Sequence, residues 1–188
     1  MPNAPTQLFD DLGRRKYLTD GERKRFFEAT KLLDLERQLF CQILLNTGCR
    51  ISEALQLTRE RVDPEIGAII FKTLKRRDDS EQRAVPISSL LLKALRESGD
   101  KRNKRIFSFC RGTGWRAVKQ AMTQARIDGL HACPKGLRHG FGISCVENSI
   151  PITQISKWMG HSNIKTTSIY TNALGREERR LARRVWVK

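Results

Sequence analysis

Apolar residues recur three and four positions apart along most of this chain, and that spacing limits the possible folds more than any other feature of the sequence. Stripes of this kind run over 39–44, 115–125 and 137–145. Two short runs, 68–71 and 83–87, have the composition of strands and are separated by a long charged connection. The pattern predicts a mainly α domain with a small antiparallel β-sheet.

Capping signals place the ends of several helices. Thr19 and Glu22 have the spacing of a capping box, which predicts that a helix begins there and continues to about Leu33. Gly48 is predicted to end the second helix, and Gly160 to end a shorter helix late in the chain. These signals divide the domain into short helices with defined ends.

Three further expectations complete the outline of the domain. Residues 106–109 are predicted to form a third short strand, and Trp115 is predicted to lie in the core. Residues 1–17 have the composition of an N-terminal arm, and the last helix is expected over 176–186. The remaining residues, 18–188, are therefore expected to form one domain without a separate N-terminal domain.

The charge of the chain indicates what it binds. Its 188 residues include 36 Lys and Arg against 20 Asp and Glu, which gives a formal net charge of +16 and an isoelectric point near 10.3. This surplus favours a polyanionic partner, because basic side chains that neutralise phosphates release the counterions bound to them. Composition alone does not separate a DNA enzyme from other nucleic-acid-binding proteins.

Several other classes of protein are disfavoured. The five cysteines are odd in number and include no Cys-x-x-Cys pair, so neither a disulfide framework nor a zinc module is expected. No glycine-rich phosphate loop or acidic metal cluster occurs, so we expect no cofactor and no metal. No stretch approaches 18 apolar residues and the N-terminus lacks a signal-peptide apolar region, so we expect a cytoplasmic protein that does not enter membranes.

Four side chains suited to phosphodiester chemistry stand in short motifs. Arg50 occurs in Thr-Gly-Cys-Arg-Ile-Ser-Glu-Ala-Leu and Arg138 in Gly-Leu-Arg-His-Gly, while His161 follows a glycine and precedes Tyr170 by nine residues. Guanidinium groups hold a phosphodiester bidentately, and a phenol is a nucleophile when positive charge surrounds it. Either arginine alone could equally be a surface residue, but in a chain this basic the set points to DNA.

In their order and spacing, these motifs resemble the boxes of the catalytic domain of tyrosine recombinases, also called the phage integrase family. The resemblance runs from about Tyr17 to the C-terminus. It implies the DNA breaking-rejoining fold and a site-specific recombinase or integrase of mobile DNA that needs neither metal nor ATP. It also implies that Tyr170 attacks double-stranded DNA to give a 3′-phosphotyrosyl link, within a homotetramer on two synapsed DNA sites.

The resemblance implies a role for each of these side chains. Arg50 and Arg138 would clamp the phosphate, and His161 would donate to it or assist proton transfer. A lysine from the strand-turn-strand segment protonates the departing 5′-oxygen in relatives. Lys75 is the preferred candidate because it should fall in the turn, and Lys72, on the strand, is the alternative.

Two departures from the family pattern affect these expectations. Lys135 stands where the family usually has the histidine of His-x-x-Arg, and lysine donates to phosphate but is a poor general base near neutral pH. We therefore expect activity with an altered pH dependence. Only 18 residues precede Thr19, so we expect a catalytic domain without the usual clamp domain, a monomer without DNA, and salt-dependent affinity.

Two neighbouring residues and two other functions remain open. Glu53 could orient Arg50 from one helical turn away or form an ordinary surface pair with it, and His139 is expected to have a packing or hydrogen-bonding role.

A type IB topoisomerase shares the same chemistry but relaxes supercoiled DNA as a monomer. A DNA-binding regulator without catalysis is the alternative outside the enzymes.

Overall fold

The computed structural model describes residues 8–72, 82–98 and 105–172, together with positions 183 and 185. In these residues the chain forms helices α1 Asp20–Thr30, α2 Leu35–Thr47, α3 Ile51–Leu55, α4 Ser89–Glu97, α5 Arg111–Gln124, α6 Pro134–Glu147, α7 Ile152–Met159 and α8 Lys165–Ser168. The strands are β1 Val62–Asp63, β2 Ala68–Lys72 and β3 Gln82–Pro86. Short 3₁₀ helices lie at Arg59–Arg61 and Ile169–Asn172. The predicted mainly α fold with a small antiparallel sheet is confirmed.

Helix α1 begins at the predicted capping box. The Glu22 amide donates to Thr19 Oγ1 over 3.3 Å, and the Thr19 amide donates to Glu22 Oε2 over 2.9 Å. The helix ends at Thr30 rather than at Leu33. The Thr30 hydroxyl donates to the carbonyl oxygen of Phe27, and the next three amides form tight i→i−3 turns that lead directly into the cap of α2.

Helix α2 lies in the centre of the main core. Most of its residues are buried, and α1, α5 and α6 pack around it. Gly48 ends the helix as predicted, in the left-handed conformation with φ +60°. The aromatic rings of Phe40, Phe107 and Phe109 meet with their centroids 5.1–5.8 Å apart, which closes the core beneath α5.

The sheet has the order β1-β2-β3, with both pairs antiparallel. Ile69 pairs with Val85 and Phe71 with Arg83, so these positions share the buried face of the hairpin. The strand predicted at 106–109 is wrong. That segment is irregular, because its two phenylalanines both pack into the core while its first amide donates to the Leu57 carbonyl. The third strand is β1, whose two residues are too few to leave a sequence pattern.

A second apolar cluster lies under the C-terminal part of the described chain. It contains Phe141 of α6, Met159 of α7 and Tyr170, together with Leu8 and Tyr17 from the predicted arm. The two ends of the segment 8–17 thus pack against the domain, while Leu12 between them is 76% exposed. No helix in the described part of the chain is long and apolar enough to cross a membrane.

Two expectations fall on parts of the chain that the structure does not describe. Lys75 belongs to 73–81, and the helix expected over 176–186 lies almost wholly outside the described residues. Both therefore stay predictions.

Candidate active site

Five of the site residues predicted from the sequence border one cleft with a volume of about 490 Å³. Its walls come from the turn between α2 and α3, the first two turns of α5 and of α6, and the segment after α7. The predicted site residues on these walls are Arg50, Lys135, Arg138, His161 and Tyr170. Residues far apart in the sequence are thus brought together around a space large enough for a phosphodiester.

Arg50 is positioned by its place at the start of a helix. It follows the left-handed turn that ends α2 and is the N-cap of α3. Its amide donates to Glu53 Oε2 over 2.7 Å, and its Nη1 donates to Glu53 Oε1 over 3.0 Å. The Arg50 side chain remains about a quarter exposed, at 27%. Its guanidinium is therefore oriented from behind while part of it faces the cleft.

The Glu53 carboxylate is fully buried and serves two arginines. Besides Arg50 it accepts two hydrogen bonds from Arg83, over 3.2 Å to Nη1 and 2.7 Å to Nη2. Burial opposes its ionisation, but the bonds and charge of Arg83, with those of Arg50, lower the pKa of Glu53 below its usual value. Of the two interpretations left open by the sequence, the orienting role fits this arrangement and the surface pair does not.

Arg83 connects the sheet to the cleft wall and was not singled out from the sequence. Its Nε donates to the carbonyl oxygen of Trp158 near the end of α7 over 2.8 Å. Gly160 lies against it: a Cβ at that position would come within 2.9 Å of Arg83 Cζ, and its φ of +64° also favours glycine. The available signal was a charged residue on the core-facing side of a strand, two positions from Val85.

Arg138 connects α6 by hydrogen bonds to the turn after α2 and to the end of α7. It lies in the second turn of α6, where its Nη1 donates to the Gly48 carbonyl over 2.5 Å and its Nη2 to the Met159 carbonyl over 2.7 Å. Burial and the nearby Arg50 guanidinium lower the pKa of Arg138 to about 10, so it stays charged at neutral pH. The fork geometry leaves further N–H groups for a ligand.

His161 follows the Gly160 turn that ends α7, and its Nδ1 lies 2.8 Å from Thr167 Oγ1 on α8. Burial and the charges of Arg138 and Arg50 lower the pKa of His161 to about 3. The imidazole is therefore neutral over the whole physiological range, and its hydrogen bond to Thr167 fixes its orientation.

Tyr170 is only 1% exposed yet borders the cleft. Its ring stacks on His161, with centroids 6.2 Å apart and planes 17° apart, and its hydroxyl lies 3.2 Å from His139 Nδ1. Gly142 makes room for the ring, because a Cβ there would come within 2.6 Å of Tyr170 Cε2. Burial raises the pKa of Tyr170 to about 12, against the opposing effect of Arg138.

The lysines differ in their relation to the cleft. Lys135 is exposed in the first turn of α6 and lies on the cleft wall. Lys72 ends β2 and borders a different, smaller cavity, beside Arg61. Lys75 is outside the described residues. Within 8–72, 82–98 and 105–172, no group of three or more His, Cys, Asp or Glu side chains is arranged to hold a metal ion.

The prediction that Trp115 lies in the core is wrong. Its side chain is 47% exposed and borders the cleft beside Arg111. The buried stripe of α5 begins instead at Gly114, where a Cβ would come within 2.8 Å of Phe40 Cζ. Because glycine carries no apolar side chain, the sequence pattern placed the stripe one residue too late.

Comparisons with known proteins agree with one another. The family model described as Phage integrase family matches residues 16–177. Tyrosine recombinase XerA of Pyrococcus furiosus is 30% identical over 168 residues, which cover 83% of this chain and 57% of that protein. The chain thus spans little more than half the length of this relative.

Two solved structures have the same fold over most of the chain. The crystal structure of XerA recombinase superimposes with a TM-score of 0.75 at 27% identity, covering 92% of this chain and 65% of the other. The catalytic domain of bacteriophage HP1 integrase superimposes with a TM-score of 0.67 at 26% identity, covering 90% of this chain and 94% of the other.

Proposed function

Because this chain belongs to the phage integrase family, we propose that it cleaves and rejoins double-stranded DNA at specific sites through a covalent 3′-phosphotyrosyl intermediate. One observation carries the proposal: Arg50, Arg138, His161 and Tyr170 all border a single cleft. The two guanidinium groups and the neutral imidazole would surround one phosphate, with the phenol beside it.

The cleft is suited to stabilising a pentacovalent phosphorane. Negative charge grows on the non-bridging oxygens during attack, and donors fixed in advance lower the barrier because they need no reorganisation. Arg50 is held from behind by Glu53, and Arg138 by two backbone carbonyls. Their remaining N–H groups would hold the two non-bridging oxygens, with His161 and Lys135 as further donors.

Tyr170 supplies the nucleophile in this proposal. Its phenolic oxygen forms a bond to phosphorus as the bond from phosphorus to the 5′-oxygen breaks. The 5′-oxygen takes a proton from Lys75, with Lys72 as the alternative. The phosphotyrosyl ester keeps the energy of the broken bond, so a second 5′-hydroxyl reverses the step and reseals the strand without ATP.

The assembly that follows is also a proposal. Residues 18–188 would act as the catalytic domain on duplex DNA in the cytoplasm. Two synapsed DNA sites would hold a homotetramer, and the protein would be a monomer without DNA. Binding should weaken steeply with salt, because the interaction rests on many basic side chains and phosphates.

A trapped adduct tests the chemistry directly. The full chain is incubated with a pool of nicked duplexes carrying random sequence on both sides of the nick, so that cleavage releases a short strand and cannot be reversed. A covalent protein-DNA adduct is expected from the unmodified protein and from Tyr17→Phe, and none from Tyr170→Phe. Tyr17 is the matched control, as the one other tyrosine of the chain.

The possible outcomes separate the alternatives. An adduct that persists in Tyr170→Phe would place the nucleophile elsewhere, and loss of the adduct in EDTA would show that a metal is required. Relaxation of supercoiled plasmid without any recombinant product would favour a type IB topoisomerase. Sequence-specific DNA binding with no adduct on any duplex would favour a regulator.

A further inference from the structure

Resting on the proposed function, we propose that His139 is a further catalytic residue, whose neutral imidazole donates its Nδ1–H to the phenolic oxygen of Tyr170. The bond holds the nucleophile in place and stabilises the phenolate that develops during attack. His139 keeps its proton throughout, so it is a donor and not the base that deprotonates the phenol.

Helix α6 holds the tyrosine through three successive features. Arg138 faces the cleft, the next residue His139 reaches the hydroxyl with Nδ1 at 3.2 Å, and Gly142 one turn later leaves space for the ring. The rings of His139 and Tyr170 have centroids 5.9 Å apart and are inclined by 57°. With this inclination, the edge of the imidazole ring that carries Nδ1 faces the hydroxyl of Tyr170.

The surroundings of His139 indicate which nitrogen carries the proton. The residue is 4% exposed, and its Nε2 is buried without a hydrogen-bond partner among the described residues. Buried N–H groups without acceptors are rarer in proteins than acceptors with a free lone pair. The tautomer protonated at Nδ1 gives its one N–H a partner, the Tyr170 oxygen, whereas the other tautomer leaves an N–H unpaired.

His139 is a weak base in this environment. Burial and the charges of Lys135 and Arg138 lower the pKa of His139 to about 4. Burial raises the pKa of Tyr170 to about 12, so proton transfer from the phenol to this weakly basic imidazole is unfavourable. The direction from His139 to Tyr170 gives the single N–H of the ring a partner and leaves Nε2 as a free acceptor.

The donation leaves the phenolic O–H directed away from His139, toward the open cleft. In the proposed step that proton passes to solvent water as the bond between oxygen and phosphorus forms. The phenolate charge that develops is then stabilised by the Nδ1–H of His139 and by the positive charge of Arg138.

Nitrogen NMR tests the hydrogen bond without any need for activity. The chain contains three histidines, so protein labelled with ¹⁵N-histidine gives few signals, which His131→Gln and His139→Asn assign. Between pH 5 and 8, His139 should show a protonated Nδ1, an unprotonated Nε2 and no titration. A proton on Nε2, or titration near pH 6.5, would overturn the proposal.

A pair of substitutions tests the catalytic effect. His139→Asn keeps an amide N–H close to the position of Nδ1, whereas His139→Leu removes the donor. With the nicked duplex pool, the observed rate constant for adduct formation should be at least about tenfold smaller in the leucine variant than in the unmodified protein. The asparagine variant should regain a substantial part of that rate. Melting temperatures of both variants identify any loss of folding.

Two results would contradict the catalytic role of His139. A leucine variant that forms the adduct as fast as the unmodified protein contradicts it, and so does an asparagine variant that is as slow as the leucine variant. If the unmodified protein forms no adduct on any duplex, the strand-transfer function and the catalytic role of His139 fail together. In that case the nitrogen spectrum still decides whether the hydrogen bond exists.

Discussion

Replacing Arg83 by leucine should destabilise the protein more than any replacement of a surface arginine. The guanidinium makes two hydrogen bonds to the buried carboxylate of Glu53 and one to the Trp158 carbonyl, and its Cζ lies 5.1 Å from the centre of the Phe71 ring. The substitution removes all of these at once and leaves Glu53 inside the protein with fewer partners.

The magnitude follows from how much compensation remains. Removing one member of a buried ion pair costs about 3–5 kcal/mol, because the other charge stays buried. Arg50 still donates to Glu53 from its backbone and its side chain, which puts the cost near the lower end of that range. For a domain of this size, about 3 kcal/mol corresponds to a fall in Tm of roughly 6–12 °C.

Urea and thermal unfolding followed by circular dichroism measure the loss. Arg96→Leu is the matched control, because Arg96 is exposed on α4 and its loss should change stability by no more than about 0.5 kcal/mol. Adding Glu53→Leu to Arg83→Leu should recover part of the loss, since no unpaired charge is then buried. An Arg83→Leu variant as stable as Arg96→Leu would refute the reasoning.

Three other outcomes follow from the site. Gly142→Ala should push Tyr170 out of its place, with roughly 1–3 kcal/mol lost in urea unfolding and slower adduct formation; unchanged values would contradict the close contact. The pKa values of His139 and His161, about 4 and about 3, lie below their ordinary 6.5, so the unfolded chain binds protons that the folded chain does not. The free energy of unfolding should therefore fall as pH drops from about 6.5 toward 4, less steeply in His139→Asn, and a flat profile in urea titrations would refute this. Lys135→His should add a limb near pH 6.5 to the pH profile of adduct formation, and superimposable profiles would remove Lys135 from the phosphate site.

The sequence was most informative where one local rule decides the structure. Capping residues and left-handed glycines predicted the start of α1 and the ends of α2 and α7, and the ordered motifs identified Arg50, Arg138, His161 and Tyr170, which all border the cleft. Motif spacing carries this information because it reflects a shared fold. It does not carry distances, so the roles of the four residues stay predictions.

What the sequence missed are contacts between distant elements. Glu53 and Arg83 are 30 positions apart and meet only because a strand packs against a short helix. His139 was expected to have a packing or hydrogen-bonding role, which its burial and hydrogen bond fit, but its partner Tyr170 depends on how α6 faces the segment after α7. Trp115 was misplaced because the buried stripe of its helix starts at a glycine. Each case is decided by tertiary packing rather than by local pattern.

The guanidinium groups of Arg50 and Arg138 border the cleft, with the buried Arg83 behind them, and their like charges repel each other despite the carboxylate of Glu53. Any small oxyanion that settles there relieves that repulsion in the native state alone, and mass action then raises the melting temperature. The melting temperature of the purified protein should for this reason be higher in sulfate or phosphate buffers than in chloride buffers. Preparations that retain fragments of cellular nucleic acid should have a still higher melting temperature, which falls when high salt dissociates those fragments.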